Sequence, residues 1–258
     1  MFFFRSGLRV LGLEEPSFNW LFSSRKHTGV WLVRRYDGLQ FFCRELPVLD
    51  CMIQSDFFEG KLWAFFSGVE SGTFIDVGAH IGKYTVKVGK KLEGTGQVFA
   101  VEPEAGNFAL LQRNVAVNRL GNVTCLKCAC FSENAQMKLF LHRNSVRHAL
   151  HKGDDFGGEY ELVQACTIDS LVEKYGIRDV RAIKIDVEGA EFDVLKGAQQ
   201  TLSDQHPSVV FESTNVEKCE ELLRKHGYEI RKLEYVNYLA TRTSEACKDP
   251  LGNSETKE

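Results

Sequence analysis

The stretch T-F-I-D-V-G-A-H-I-G, Thr73 to Gly82, joins a β-branched, aromatic run to a glycine loop and sets Asp76 where the two meet. Thr73 to Val77 reads as a buried strand, and Ile81, Tyr84, Val88 and Leu92 recur at helical spacing, which predicts a helix over about 81–91. Gly78 and Gly82 let the backbone approach a ligand closely, and the helix that begins there offers unpaired N–H groups. Such a turn suits a polar ligand, although it also links strands to helices in α/β proteins that bind nothing.

The next segment favours the ligand. Gln97 to Val101 is a second strand ending on Glu102-Pro103, followed by a helix over Ala105 to Arg119 with Phe108, Leu111 and Val115 inward. An acidic residue about 20 positions beyond a glycine turn, at the tip of the second strand, is where a ribose diol would be held. NAD and S-adenosylmethionine both fit that logic. The spacing D-x-G-x-x-x-G, in place of G-x-G-x-x-G, favours the second, since Asp76 would repel a pyrophosphate and suit a cationic end. A third strand-to-helix turn lies in A-I-K-I-D-V-E-G-A-E-F-D-V-L-K-G-A, Ala182 to Ala198, with Asp186 at the strand tip and Phe192, Leu195, Ala198 and Leu202 as one helical stripe. Acidic residues near a helix N-terminus are favourable as caps, which accounts for Asp193; Asp186 and Glu188 are better candidates for chemistry.

These motifs resemble the FkbM-like S-adenosylmethionine-dependent methyltransferases. The likeness runs from about Gly72 to Arg242, through F-I-D-V-G-A-H-I-G-K-Y-T, V-E-P-E-A-G-N-F-A-L-L-Q-R-N, T-I-D-S-L and I-K-I-D-V-E-G-A-E-F-D-V-L-K-G-A, in the family's order. It implies an α/β, Rossmann-like class I methyltransferase sheet of seven strands. It also implies S-adenosylmethionine bound by Asp76, Gly78, Ala79, Gly82, Glu102 and Asn107, with Glu102 on the ribose, and methyl transfer to a hydroxyl of a sugar, glycan or polyketide-like compound. His80 stands where the family more often has Asn, and Ala105 where a second Pro is usual.

The remaining pattern agrees on its own terms. Asn122 to Lys127, Gln136 to His142 and Ser208 to Phe211 read as strands, Val216 to His226 as a helix stopped by Gly227, and Tyr228 to Lys232 with Val236 to Thr241 as a closing strand pair. Alternating strands and helices imply a parallel sheet covered on both faces. Ligands bind such sheets beyond the carboxyl ends of the strands, where Asp76, Glu102, Asp186 and Glu212 all fall. The expected organisation is an N-terminal addition over 1–70, a methyltransferase domain over 71–243 and a polar tail over 244–258. The addition holds a hairpin turning at Asp37-Gly38 and a helix over Phe57 to Phe66, expected to pack over the cofactor edge and shape the acceptor pocket.

With 258 residues, 43% of them hydrophobic, the chain can bury one substantial core, which excludes a disordered or repeat-built protein. A net charge of −3 with dispersed basic residues argues against RNA as the acceptor. Arg5 interrupts the apolar Met1 to Phe4, no secretory core follows, and no apolar span of membrane length exists, so a cytoplasmic location is expected. The eight cysteines are expected to be mostly reduced, and C-x-x-C-x-C at Cys125, Cys128 and Cys130 lacks the second pair a zinc site needs. His142, His148 and His151 mark the loop Arg143 to Gly158 as a candidate lid.

In the expected mechanism the acceptor hydroxyl is aligned with an already activated methyl group and relieved of its proton by a base. Asp186 is the first candidate, then Glu188 and His80. The alternative is a Mg²⁺ held by Asp186 with Glu188 or Glu212, compatible with hard oxygen ligands but not expected. A nicotinamide-dependent oxidoreductase and a cofactor-binding protein without turnover are the readings from other classes.

Overall fold

The structure is a computed structural model and describes residues 29–35, 37–44, 59–141, 148–150 and 158–242. Strands β1 (Val30–Arg34) and β2 (Gln40–Arg44) form an antiparallel hairpin, and α1 (Gly60–Phe66) follows. Then come β3 (Gly72–Val77), α2 (Lys83–Lys91), β4 (Gly96–Val101), α3 (Ala105–Val117) and β5 (Val123–Leu126). Three strands, β6 (Ala129–Cys130), β7 (Ala135–Phe140) and β8 (Tyr160–Cys166), precede α4 (Ile168–Tyr175). The chain continues through β9 (Val180–Ile185), α5 (Glu191–Lys196), α6 (Gln199–Asp204), β10 (Ser208–Glu212), α7 (Glu217–Lys225), β11 (Tyr228–Glu234) and β12 (Asn237–Arg242).

Seven strands form the main sheet in the order β11-β12-β10-β9-β3-β4-β5. β5, β4, β3, β9 and β10 are parallel, and β12 enters antiparallel between β10 and β11. This is an open, Rossmann-like α/β sheet with one antiparallel strand. The chain order reverses between β3 and β9, the switch point where ligands of open α/β sheets bind.

Neighbouring residues on one strand face opposite layers, so both layers can be read from β3. Ile75 and Val77 join Phe99, Ile183 and Phe211 beneath α4, α5 and α7, while Phe74 joins Val98 and Val210 against Tyr84 and Val88 of α2 and Phe66 of α1. Each such large side chain contributes about 1.5–3 kcal/mol of burial, and a strand apolar on both faces has no other stable place than mid-sheet.

The hairpin is attached by a different device. Asn114 of α3 and Asn118, the residue that caps its C-terminus, stand four residues apart and act toward β2 as a neighbouring strand would. The Phe42 N–H donates to Asn114 Oδ1 (2.5 Å) and the Gln40 N–H to Asn118 Oδ1 (2.9 Å), while Asn114 Nδ2 donates to the Phe42 carbonyl (3.2 Å) and Asn118 Nδ2 to that of Gln40 (2.6 Å). Phe41 between these contacts and Cys43 just beyond them lie in a cluster with Leu111, Val115 and Ala79.

Two expectations need correction. The strand expected over 136–142 is β7, and it pairs with β8 in a separate three-stranded sheet instead of joining the main one. The stripe Phe192, Leu195, Ala198, Leu202 is split between α5 and α6, because Gly197 packs so closely on the Phe131 carbonyl that a Cβ there would lie 2.1 Å from it. Residues 1–28, most of the 143–158 loop with His142 and His151, and the tail lie outside the described residues. Among those described, no helix is long and apolar enough to cross a membrane.

Candidate functional site

A cleft of about 1140 Å³, counting its open mouth, lies over the carboxyl ends of β3, β4, β9 and β10. At one end stands Glu102, 5% exposed, just past β4. The His80 N–H donates to its Oε2 (2.9 Å), the Glu104 N–H to its Oε1 (3.0 Å), and Asn107 Nδ2 to Oε1 (3.5 Å). The carboxylate is thus oriented while keeping acceptor capacity on Oε2. Burial pushes its pKa up to about 7, against the opposing pull of those N–H groups. Asn107 is held in turn by Arg44 of β2, whose Nη2 donates to Asn107 Oδ1 (2.6 Å) and lies 3.3 Å from His80 Nε2. Glu104 caps α3, accepting from the Gly106 and Asn107 N–H groups.

At the other end carboxylates and lysines alternate. Lys184 Nζ lies 3.0 Å from Asp186 Oδ2 and 3.9 Å from Asp76 Oδ1, and Lys83 Nζ lies 3.3 Å from Glu59 Oε2, which also accepts from the Tyr84 hydroxyl (2.9 Å). Burial opposes the charge on Lys184, but Asp186, Asp76 and Glu59 outweigh it and hold the amine firmly protonated. Burial brings Lys83 down to about 8, with Glu59 opposing. Glu212 is pushed up to about 8, first by burial and then by the charges of Asp186 and Glu188. One oxygen each of Glu59, Asp186 and Glu212 lies within 4.8 Å of the others, a set able to hold a hard cation in competition with the two lysines.

Of the residues expected at a ligand, Gly78, Ala79, His80, Glu102, Asn107, Asp186 and Glu188 all line the cleft. Asp76 and Gly82 do not reach its surface. Asp76 is 1% exposed beneath the floor, where Thr85 Oγ1 donates to its Oδ2 (2.6 Å), and burial raises its pKa against the opposing pull of Lys184 and the Thr85 hydroxyl. A Cβ on Gly82 would lie 2.7 Å from Leu111 Cδ1, so this glycine serves the contact between α2 and α3. Gly78, at φ 76°, also has a structural reason: a Cβ there would lie 1.8 Å from the Asp186 carbonyl.

The profile of the methyltransferase FkbM domain matches residues 76–230. The chain belongs to the FkbM methyltransferase family. Methyltransferase 1 of Beauveria bassiana (strain ARSEF 2860) is 25% identical over 187 residues, 65% of this chain and 73% of that one. Among solved structures, the methyltransferase FkbM from Methylobacillus flagellatus KT is 20% identical, with a TM-score of 0.47, over 67% of this chain and 44% of that one. The chain therefore spans less than half the length of that protein. M. jannaschii TYW2 in complex with AdoMet is 14% identical, with a TM-score of 0.45, over 84% of each chain.

Several cleft residues of this FkbM chain were not singled out from sequence. Glu59, Lys83, Tyr84 and Lys184 look like ordinary surface or helix residues until the strand ends bring them together. Arg44 was hidden in a run of hairpin residues. Leu139 of β7 and Leu150, with His148 of the loop marked in the sequence as a candidate lid, form the lip of the cleft. Nothing in the spacing marks Leu139 or Leu150, because β7 is placed over the cleft by pairing with β8, a segment some twenty or more residues further along the chain.

Proposed function

We propose that this FkbM-family chain transfers the methyl group of S-adenosylmethionine to a hydroxyl of a small polyhydroxylated acceptor, a sugar, glycan or polyketide-like molecule. The observation that carries the reading is one cleft with a buried, pre-oriented carboxylate at one end and a group of carboxylates and lysines at the other. The cofactor fits these residues: Glu102 retains acceptor capacity for a ribose hydroxyl, and Gly78-Ala79 presents backbone without side-chain bulk. When bound, S-adenosylmethionine supplies a methyl group already activated by a sulfonium, so alignment provides most of the rate.

The chain's own residues then have separable tasks. Glu102 accepts from the ribose, with Asn107 and, through it, Arg44 fixing its position. Asp76 acts from below by supporting Lys184. Lys184 holds the Asp186 carboxylate toward the cleft, where Asp186 would accept the proton of the acceptor hydroxyl. Glu212 and Glu188 accept from neighbouring hydroxyls of the acceptor. His80 leaves the list of bases, because Arg44 Nη2 lies 3.3 Å from its Nε2 and occupies that ring nitrogen. The hairpin helps shape the cofactor end through Arg44, and Glu59, just before α1, lines the acceptor end.

The test is methyl transfer by wild type and Asp186→Asn over a panel of glycans, simple sugars and polyketides, with S-adenosylmethionine affinity measured on both. Turnover should fall by about 100-fold or more while affinity changes little. Equal turnover would remove Asp186 as the base, and transfer only to RNA would overturn the acceptor class.

A further inference from the structure

The small sheet gathers three thiols from segments far apart in sequence. Cys130 of β6 and Cys166 of β8 are partners in a parallel ladder, and Cys128 lies in the bend between β5 and β6. Cys166 Sγ lies 3.1 Å from Cys128 Sγ, closer than two sulfurs normally pack without a bond, and 3.4 Å from the Ala129 carbonyl oxygen. All three are free thiols. Cys128 and Cys166 are partly exposed, whereas Cys130 is 2% exposed and forms part of the cleft wall.

We propose that Cys128 and Cys166 are a redox-active dithiol that closes to an intrachain disulfide on meeting a low-molecular-weight disulfide such as oxidised glutathione. The Cys166 thiolate attacks one glutathione sulfur, forming a mixed disulfide and expelling one glutathione thiolate. Cys128 loses its proton to solvent and attacks the Cys166 sulfur, expelling the second. Two protein thiols are oxidised and one glutathione disulfide is reduced to two thiols, so electrons and atoms balance.

Geometry selects the pair. Closing 3.1 Å to the bonded length of about 2.05 Å is a shift of roughly one ångström, and Cys128 sits outside the ladders on either side, so the bend can move without breaking one. Cys130 is fixed in its ladder and screened from an oxidant. The order of attack has a chemical cause as well: the cluster of neighbouring thiols holds Cys166 below the usual thiol range and Cys128 and Cys130 above it. Closure would pin the bend that carries Ala129 and Cys130 into the cleft wall.

The experiment incubates the full-length reduced chain in graded mixtures of oxidised and reduced glutathione, followed by acid quench, alkylation, digestion and mass spectrometry. A linked Cys128–Cys166 peptide should rise with the oxidised fraction, while Cys43, Cys130 and Cys219 become alkylatable only after unfolding. In Cys128→Ser the reaction should stop with glutathione on Cys166. Absence of the linked peptide, a wild-type reaction that halts at the mixed disulfide, or a Cys130–Cys166 link in its place would each overturn the proposal. None of these readouts depends on the methyl acceptor or cofactor.

Discussion

Glu102 and Asp76 differ by environment more than by chemistry. Glu102 titrates near pH 7 in the folded chain against 4.5 unfolded, so between those values the folded state holds the extra proton. Its contribution to stability is therefore complete below pH 4.5 and declines as pH rises toward 7. Ribose hydroxyls donate best to the ionised form, so S-adenosylhomocysteine affinity should rise as pH increases from 6 to 8, and Glu102→Gln should bind weakly with a flatter profile. A wild-type affinity that falls over this range would remove Glu102 from the ribose. Asp76 has another part. Asp76→Ala strands the Thr85 hydroxyl and removes one of the two carboxylates nearest Lys184, so we predict a loss of about 3 kcal/mol in denaturant unfolding. An unchanged midpoint would mean the ion-paired floor is not structural. The D-x-G pattern made Asp76 visible in the sequence, but whether a strand-tip carboxylate enters the cleft or sits beneath it depends on Lys184, a residue more than one hundred positions away.

At the level of elements, the segments with strong local periodicity were legible, and those defined by distant partners were not. The helix expected over 105–119 is found at 105–117, and the strand before it within one residue, because each is specified by its own apolar spacing and by Glu104 as cap. β6 and β8 escaped notice: one is two residues long, and the other leaves Tyr160 and Leu162 exposed, so neither carries a clean alternation. The split between α5 and α6 comes from contact with Phe131, which no local pattern records. The attachment of β2 to α3 is similarly non-local, and it makes a prediction. Asn114→Ala leaves the Phe42 N–H and carbonyl and the Ile81 carbonyl without this amide, and should cost about 1–3 kcal/mol. It should also speed amide exchange in β2 before the main sheet. Exchange in β2 no faster than in wild type would show that Asn118 with the buried Phe41 and Cys43 holds the hairpin without Asn114.

On the scale of the whole molecule, strand order brings together what the sequence spreads over more than 150 residues. Reversal between β3 and β9 opens the cleft, β4 places Glu102 at one end, and β9 and β10 place Asp186 and Glu212 at the other. The seven-strand architecture was implied by the family resemblance that four motifs in order carry, and the main sheet has that number of strands. The end of the cleft with Asp186 and Glu212 was less legible because Glu59 and Lys83 belong to no strand tip and the small sheet is added from one side. The central claim is that the cleft binds S-adenosylmethionine through Glu102, and calorimetric titration of the purified chain with S-adenosylmethionine, S-adenosylhomocysteine and NAD tests it most directly. Micromolar binding of the first two, lost in Glu102→Ala, with no heat from NAD, is the predicted result. Binding of NAD in place of the sulfonium ligand, or binding of the latter undiminished in Glu102→Ala, would contradict it.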